Sequence, residues 1–260
     1  MEVWKAALLG IVQGVTEFLP VSSSGHLILS EWLLGVDTGG ADMFLGIMLH
    51  MGTLVAVLFL YTPRLWEFLK YDRKKLLCLA LGTIPAGLAG VLLGDIVDEI
   101  FFGGKWLWAG FLASALLLLY CDRKAKNMRV FRPLTVKNAM AVGFAQAFAI
   151  IPGLSRSGTT LSAGVAVGLD KETAADFSFL LSIPVIAGAV CVELWKAFQN
   201  PAYVSAISWQ SLAAGTVCAA VFGFISIRWM LNLVKGKNLF CFSVYLFLLA
   251  AVLLILQFFL

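Results

Sequence analysis

Long apolar segments separated by short polar ones make up most of the chain. A helix needs roughly 20 apolar residues to cross a bilayer, and six uninterrupted segments approach or exceed that length. They cover residues 43–61, 76–94, 106–120, 177–198, 211–233 and 239–259. The pattern predicts an all-α polytopic membrane protein with six transmembrane helices, folded as one integral membrane domain over residues 1–260.

Two further apolar segments, residues 3–34 and 138–169, are interrupted by polar residues. The first break reads VSSSG and the second PGLSRSG. Each piece beside a break is too short to span a membrane at about 1.5 Å per residue. Irregular backbone at membrane depth is tolerated only where protein buries it or where it lines a watery cavity. We therefore predict two re-entrant helical hairpins.

The two broken segments align without a gap at an offset of 133 residues. GIVQGVTEFLPVSSSGH, from Gly10, lies over GFAQAFAIIPGLSRSGT, from Gly143. This alignment predicts an internal repeat, with repeat 1 at about 1–130 and repeat 2 at about 131–260. Each half contains one hairpin and three spans, and three is odd, so the second half is expected to have inverted topology.

Charge in the connecting segments predicts the orientation. Lys and Arg are frequent in residues 62–75, 121–137 and 234–238 and scarce in residues 95–105 and 199–209. Basic segments stay in the cytoplasm, so we expect a multi-pass plasma-membrane protein with both termini outside and its first hairpin open to the outside. Only 13% of residues are charged and the net charge is +4, and we expect no nucleic-acid partner.

The differences between the repeats predict the chemistry. The first copy has Glu17, Ser23 and His26 where the second has Ile150, Arg156 and Thr159. Inverted repeats place binding sites at their interface, and an ionisable side chain in a membrane indicates function. We predict that Arg156 holds an anionic group while Glu17, His26 and a serine act on it.

The serines of the first break have different expected roles. One of Ser22, Ser23 and Ser24 is expected to cap the following half-helix. Ser23 aligns with Arg156 and is our choice of nucleophile, with Ser22 left open. Backbone N–H groups beside Gly25 and Gly158 would suit phosphate oxygens. His50, inside a spanning segment, is interpreted as a packing residue.

At these residues the chain resembles a known family, the bacterial undecaprenyl-diphosphate phosphatases of the bacitracin-resistance type. QGVTEFLPVSSSGH at 13–26 and PGLSRSGTT at 152–160 carry the resemblance. Motif order, separation and chain length extend it over the whole chain. The resemblance implies hydrolysis of undecaprenyl diphosphate to undecaprenyl phosphate and inorganic phosphate at the outer face of the plasma membrane. That reaction recycles the lipid carrier for cell-wall synthesis and confers bacitracin resistance.

The resemblance also implies a site and a cofactor. With the alignment above, the expected catalytic residues are Glu17, Ser23, His26 and Arg156, and the expected substrate-binding residues are Gln13, Ser22, Ser24, Gly25, Ser155, Ser157, Gly158 and Thr160. A divalent cation, Mg²⁺ or Ca²⁺, is expected at Glu17. The family commonly has Glu where this chain has Gln13, which weakens a two-carboxylate metal site.

Several alternatives stay open at this point. Attack by serine and attack by water activated through His26 and Glu17 are not separated by the sequence. The same inverted repeat is typical of secondary transporters, so the alternative function is a lipid-phosphate transporter or flippase, with or without phosphatase activity. The expected partners are a prenyl diphosphate substrate and membrane lipids, and a homodimer is left open.

Overall fold

The chain folds into α-helices connected by short segments. The computed structural model describes residues 1–36, 42–101, 104–199, 207–235 and 239–259, and these ranges contain no β-strand. The helices are α1 Val3–Phe18, α2 Ser23–Leu34, α3 Asp42–Tyr71, α4 Arg73–Phe101, α5 Leu107–Asn127, α6 Val136–Phe148, α7 Arg156–Ala166, α8 Lys171–Gln199, α9 Trp209–Lys235 and α10 Phe240–Phe259. The prediction of an all-α polytopic membrane protein is confirmed.

Five helices in the described ranges are long and apolar enough to cross a membrane. They are Phe44–Tyr71, Arg73–Gly94, Lys171–Gln199, Trp209–Lys235 and Phe240–Gln257. The remaining predicted span falls on α5, whose apolar run ends at Cys121 and is followed by charged residues. α5 packs along α10. The count of six spanning helices therefore stays a prediction.

One predicted cytoplasmic loop is helical instead. We expected a loop over residues 62–75, but α3 continues through Pro63 to Tyr71 and α4 begins at Arg73. Only Asp72 lies between them, and its carboxylate accepts a hydrogen bond from the backbone N–H of Lys75 at 3.1 Å. The loop prediction is wrong because Leu, Glu, Lys and Arg are good helix formers, and basic residues do not end a helix.

Each predicted hairpin is a pair of short helices with a break between them. α1 and α2 have 16 and 12 residues, and α6 and α7 have 13 and 11. At about 1.5 Å per residue these helices are roughly 16–24 Å long, shorter than a bilayer core. α1 ends because Leu19, which precedes Pro20, has extended backbone. In the second break Gly153 has φ +86°, a conformation that favours glycine.

The first helix of each half packs against the fourth helix of the other half. A Cβ on Gly10 would lie 2.1 Å from the carbonyl oxygen of Gly215, and a Cβ on Gly143 would lie 2.1 Å from that of Gly82. Gly10 and Gly143 are 133 residues apart, and so are Gly82 and Gly215. The same backbone contact thus joins α1 to α9 and α6 to α4. The inverted orientation of the halves and their boundary near residue 130 stay predictions.

Two long helices lie at the centre of the bundle and position the hairpins. α3 contacts α1, α4, α8 and α9, and α8 contacts α3, α4, α7 and α9. An aromatic series links them to the first break, because the ring of Phe179 contacts those of Phe18 and Tyr61 edge-on, with centroids 5.7 and 6.0 Å away. The end of α1 is therefore held against α3 and α8.

Candidate active site

The two breaks lie against each other. The Ser157 hydroxyl in the second break donates to the carbonyl oxygen of Leu19 in the first, at 2.9 Å. A Cβ on Gly25 would lie 3.2 Å from the Cα of Gly153, so the two backbones approach closely at that point. The structure thus brings together residues of hairpins that are far apart in the chain, as the repeat predicts.

One buried carboxylate, that of Glu17, lies where the breaks meet. Its Oε1 accepts from Nη2 of Arg156 at 2.7 Å. Its Oε2 accepts from the Ser23 hydroxyl at 2.5 Å and from Nε2 of Gln13 at 3.0 Å. Bonds to an ionised group are stronger than neutral ones. Four residues predicted for the site therefore form one hydrogen-bonded cluster around Glu17.

Arg156 is held in place by α8, which the sequence did not indicate. It begins α7, and its Nη1 donates to the carbonyl oxygen of Ser178 at 3.3 Å. The Thr160 hydroxyl donates to the carbonyl oxygen of Arg156 at 2.8 Å and pairs with the Ser178 hydroxyl at 2.5 Å. Ser178 lies in an apolar stretch of α8 that also contains Ser182, and it belongs to neither break, so its position gave no signal.

His26 is directed away from this cluster. Its Nδ1 donates to the carbonyl oxygen of Ser22 at 2.7 Å, so its Nε2 accepts from the Tyr245 hydroxyl, at 2.6 Å. The ring also stacks on Tyr245 and meets the edge of Phe111. Within the described ranges, none of its polar contacts is with Glu17, Ser23 or Arg156. The catalytic role of His26 stays a prediction that this geometry does not support.

His50 lies at the site although the sequence interpretation made it a packing residue. Its Nε2 is 3.4 Å from Oε2 of Glu17. Its Nδ1 is 2.8 Å from the carbonyl oxygen of Gly46, one turn earlier in α3. A signal existed, because His50 is one of two histidines in the chain and an ionisable residue inside a spanning segment indicates function.

The other hydroxyl groups of the two breaks mostly stabilise backbone. Ser22 caps α2 by accepting from the N–H of Gly25 at 3.4 Å, and Ser155 caps α7 by accepting from the N–H of Gly158 at 3.0 Å. The hydroxyl of Ser24 pairs with that of Ser22, and the hydroxyl of Ser157 with that of Ser155. Of the three serines in the first break, Ser23 is the one that contacts Glu17, while the binding roles of the others stay predictions.

The sequence is similar to known proteins over nearly its whole length. A family model described as "Bacitracin resistance protein BacA" matches residues 6–252. The chain belongs to the BacA family. Undecaprenyl-diphosphatase 3 of Bacillus cereus is 42% identical over 255 residues, which cover 98% of this chain and 97% of that protein. Undecaprenyl-diphosphatase of Thermodesulfovibrio yellowstonii is 36% identical over 258 residues, covering 99% and 98%. The stretch matched to BacA includes every residue of the cluster around Glu17.

The donor set of this BacA-family site can be compared with the expected divalent cation. Mg²⁺ is usually held by one or two carboxylates together with phosphate oxygens of a substrate. Glu17 supplies one carboxylate, and Oε1 of the neighbouring Gln13 is buried without a hydrogen-bond partner. In the ranges described, no three His, Cys, Asp or Glu side chains converge as a metal site would require. The residues fit a cation that a phosphate-bearing substrate helps to bind.

Proposed function

We propose that this multi-pass membrane protein hydrolyses undecaprenyl diphosphate to undecaprenyl phosphate and inorganic phosphate. Proteins bearing that name are similar to it over almost their full length. The observation that carries the chemistry is the 2.5 Å bond from the Ser23 hydroxyl to Glu17, beside Arg156. Together they supply a nucleophile, a base and a cation. The reaction returns the lipid carrier to cell-wall synthesis and gives bacitracin resistance.

In this proposal the diphosphate binds in a cleft that opens between the breaks when substrate enters, and its prenyl tail stays in lipid. The guanidinium of Arg156 matches phosphate oxygens in shape and charge, so it moves from Glu17 to the phosphoryl group when substrate binds. The first turns of α2 and α7 begin beside the cleft, and helix N-termini favour anions. From the loop charges we propose that the cleft opens to the outer face and that both termini lie outside.

In the proposed reaction the Ser23 oxygen attacks the terminal phosphorus while its proton passes to the carboxylate of Glu17. The bond to the bridging oxygen breaks and undecaprenyl phosphate leaves. Glu17 gives that proton to the leaving phosphate. Water then attacks the phosphoserine and gives a proton to Glu17, the bond between phosphorus and the Ser23 oxygen breaks, and the Ser23 oxygen takes the proton back from Glu17 as inorganic phosphate is released. The alternative, direct attack by water, needs the carboxylate but no serine oxygen. We assign no step to His26 in either route, because its ring is bonded to Ser22 and Tyr245, and the activation of water through His26 stays a prediction.

We also propose a divalent cation at this site. The carboxylate of Glu17 and Oε1 of Gln13 would hold Mg²⁺ or Ca²⁺, with phosphate oxygens completing the shell. When bound, the cation neutralises the negative charge that develops on the phosphoryl group. Gln13 already contacts Glu17 through its amide nitrogen, so it restrains the carboxylate with or without the ion.

Phosphate release from a prenyl diphosphate by detergent-solubilised protein tests the proposal. We expect activity that a chelator lowers, and a loss of about 100-fold or more in Ser23→Ala. Ser30→Ala is the matched control, because among the described residues that hydroxyl bonds only the backbone of its own helix, at the carbonyl oxygen of His26. A trapped phosphoserine at Ser23 would support the serine route, and turnover like wild type in Ser23→Ala would exclude it.

A second assay separates hydrolysis from the transporter alternative. A pure transporter needs an anion-binding site but no hydroxyl bonded to a carboxylate. Protein in vesicles that moves labelled prenyl phosphate across the bilayer, and releases no phosphate in detergent, would contradict the phosphatase. The oligomeric state of the solubilised protein, measured in the same preparation, tests the homodimer, which stays a prediction.

A further inference from the structure

The ring of His50 is fixed in one orientation by the backbone of its own helix. Nδ1 is 2.8 Å from the carbonyl oxygen of Gly46. A carbonyl oxygen only accepts hydrogen bonds, so Nδ1 carries the hydrogen. In the neutral ring the lone pair is therefore on Nε2, the atom that lies 3.4 Å from Oε2 of Glu17. The lone pair and the carboxylate oxygen face each other.

This arrangement matches that of a metal-binding histidine. Such a histidine donates its other ring N–H to a carbonyl or carboxylate, which fixes the tautomer and turns the free nitrogen toward the ion. Metal ligands at about 2.1 Å from an ion lie about 3.0–3.4 Å from one another. A lone pair on Nε2 and the carboxylate oxygen at 3.4 Å would repel each other. Either a proton on Nε2, which makes an ion pair, or a cation bound to both atoms removes that repulsion.

We propose that Nε2 of His50 and Oε2 of Glu17 together bind the divalent cation of this site. Gln13 lies next to the same carboxylate oxygen and carries an unpartnered buried Oε1, the third candidate ligand. Three protein ligands of mixed type leave room for oxygens of the diphosphate. The inference rests on the proposed function, because it takes the substrate to complete the coordination shell.

A nitrogen ligand changes which ions this chain prefers. Carboxylate, carbonyl and water suit Mg²⁺ and Ca²⁺, whereas imidazole suits transition ions and Zn²⁺. Ca²⁺ takes six to eight oxygen ligands and gains little from an imidazole. We therefore expect Mn²⁺ or Co²⁺ to bind more tightly than Ca²⁺ in wild-type protein, and we expect His50→Gln to narrow that difference.

Pulsed EPR of Mn²⁺ tests the ligand directly, without turnover. The probe is Mn²⁺ with methylene diphosphonate, a diphosphate analogue that is not hydrolysed, bound to the full-length protein in detergent. Only two histidines exist in the chain, so a directly bound imidazole nitrogen can come only from His26 or His50. We expect a ¹⁴N coupling that changes to ¹⁵N on histidine labelling, persists in His26→Gln and disappears in His50→Gln. Mn²⁺ affinity should fall about 10–100-fold in His50→Gln.

Two results would overturn the inference. One is bound Mn²⁺ without nitrogen coupling in wild-type protein, a measurement that depends on no variant folding. The other is a coupling that survives His50→Gln and disappears in His26→Gln. Phosphate release is measured on the same samples, so the failures are distinguishable. If the protein is active but bound Mn²⁺ shows no nitrogen coupling, only the assignment of His50 as a ligand is contradicted. If Mn²⁺ shows nitrogen coupling but the protein releases no phosphate, only the proposed phosphatase activity is contradicted.

Discussion

The two breaks share one backbone arrangement but carry different chemistry. In each, a serine caps a short helix through the glycine N–H three residues on, and a second serine pairs with the cap. At the positions that differ, the first break has Glu17 and Ser23, whereas the second has Ile150 and Arg156. Because the breaks lie against each other, each supplies what the other lacks.

The comparison also shows where backbone strain lies. Ser22 has φ +70°, whereas its counterpart Ser155 has φ −67°. Among the residues that the structure describes, Ser22 is the only non-glycine residue with positive φ. Strained residues cluster at functional sites, and each costs about 1–3 kcal/mol. The strain lies in the first break, directly before Ser23, the proposed nucleophile. The two breaks therefore share one capping arrangement, and the first differs from the second in the backbone conformation of its capping serine.

The largest effect is expected where the second break supplies its cation. Arg156 reaches Glu17 with Nη2 and Ser178 with Nη1, and the single ammonium of Lys cannot reproduce that fork. Arg156→Lys should lower kcat/KM for a prenyl diphosphate by about 10²–10³-fold. Arg228→Lys is the control, because that residue is exposed and its guanidinium lies over the ring of Phe224, a residue of its own helix. If the activity of Arg156→Lys stays within about threefold of wild type, the two-pronged contact of the guanidinium does not contribute to catalysis.

Equivalent glycine substitutions in the two halves should lower the free energy of unfolding by equal amounts. A Cβ at Gly10 or Gly143 would collide with a carbonyl oxygen, so Gly10→Ala and Gly143→Ala should each lower the free energy of unfolding by about 1–3 kcal/mol. Gly87→Ala is the matched control, because a Cβ there meets no atom within 4 Å and should stabilise α4 by about 0.5–1 kcal/mol. Thermal unfolding in detergent measures all three.

If only one of the two glycine variants is destabilised, the repeats are not packed alike. The close contact at the sensitive glycine would then be a local feature, and the offset of 133 residues between the two glycine pairs would be a coincidence. If Gly10→Ala and Gly143→Ala lower the free energy of unfolding equally while Gly87→Ala raises it, the two halves are packed alike. That result would also rule out a general effect of adding methyl groups to these helices.

Much of this architecture is readable from the sequence because it depends on local patterns. Apolar length predicts the helices, the polar stretches VSSSG and PGLSRSG predict the breaks, and the offset of 133 predicts that Glu17 and Arg156 meet. What the sequence did not predict depends on side-chain direction. Whether a histidine faces the site is decided by the rotation of its helix and by a partner, Gly46 for His50 and Tyr245 for His26. Neither partner is marked by any pattern.

Gln13 and Gln146 occupy equivalent positions in the two repeats but should contribute differently to activity and to stability. Gln13 donates to Glu17, whereas both amide atoms of its counterpart Gln146 are buried without a partner. Replacing an unsatisfied buried amide by an apolar group of similar size removes a cost of about 1–3 kcal/mol. Gln146→Leu should therefore raise the free energy of unfolding by about 1 kcal/mol with activity unchanged, and Gln13→Leu should lower activity. Loss of activity in Gln146→Leu would assign the second glutamine a function.

The smallest expected effect tests the backbone strain at Ser22 most directly. The same change from serine to glycine should raise the free energy of unfolding in the first break and lower it in the second. At Ser22 the change to Gly relieves positive φ, and replacing a capping serine by Gly costs only a few tenths of a kcal/mol. Ser22→Gly should therefore raise the free energy of unfolding by about 0.5–1 kcal/mol. At Ser155 no strain is relieved, and Gly adds freedom to the unfolded chain, so Ser155→Gly should lower it by a similar amount. Thermal unfolding of both variants measures the sign. If both are destabilised, Ser22 is not strained, and the contrast between the breaks is one of side-chain chemistry alone.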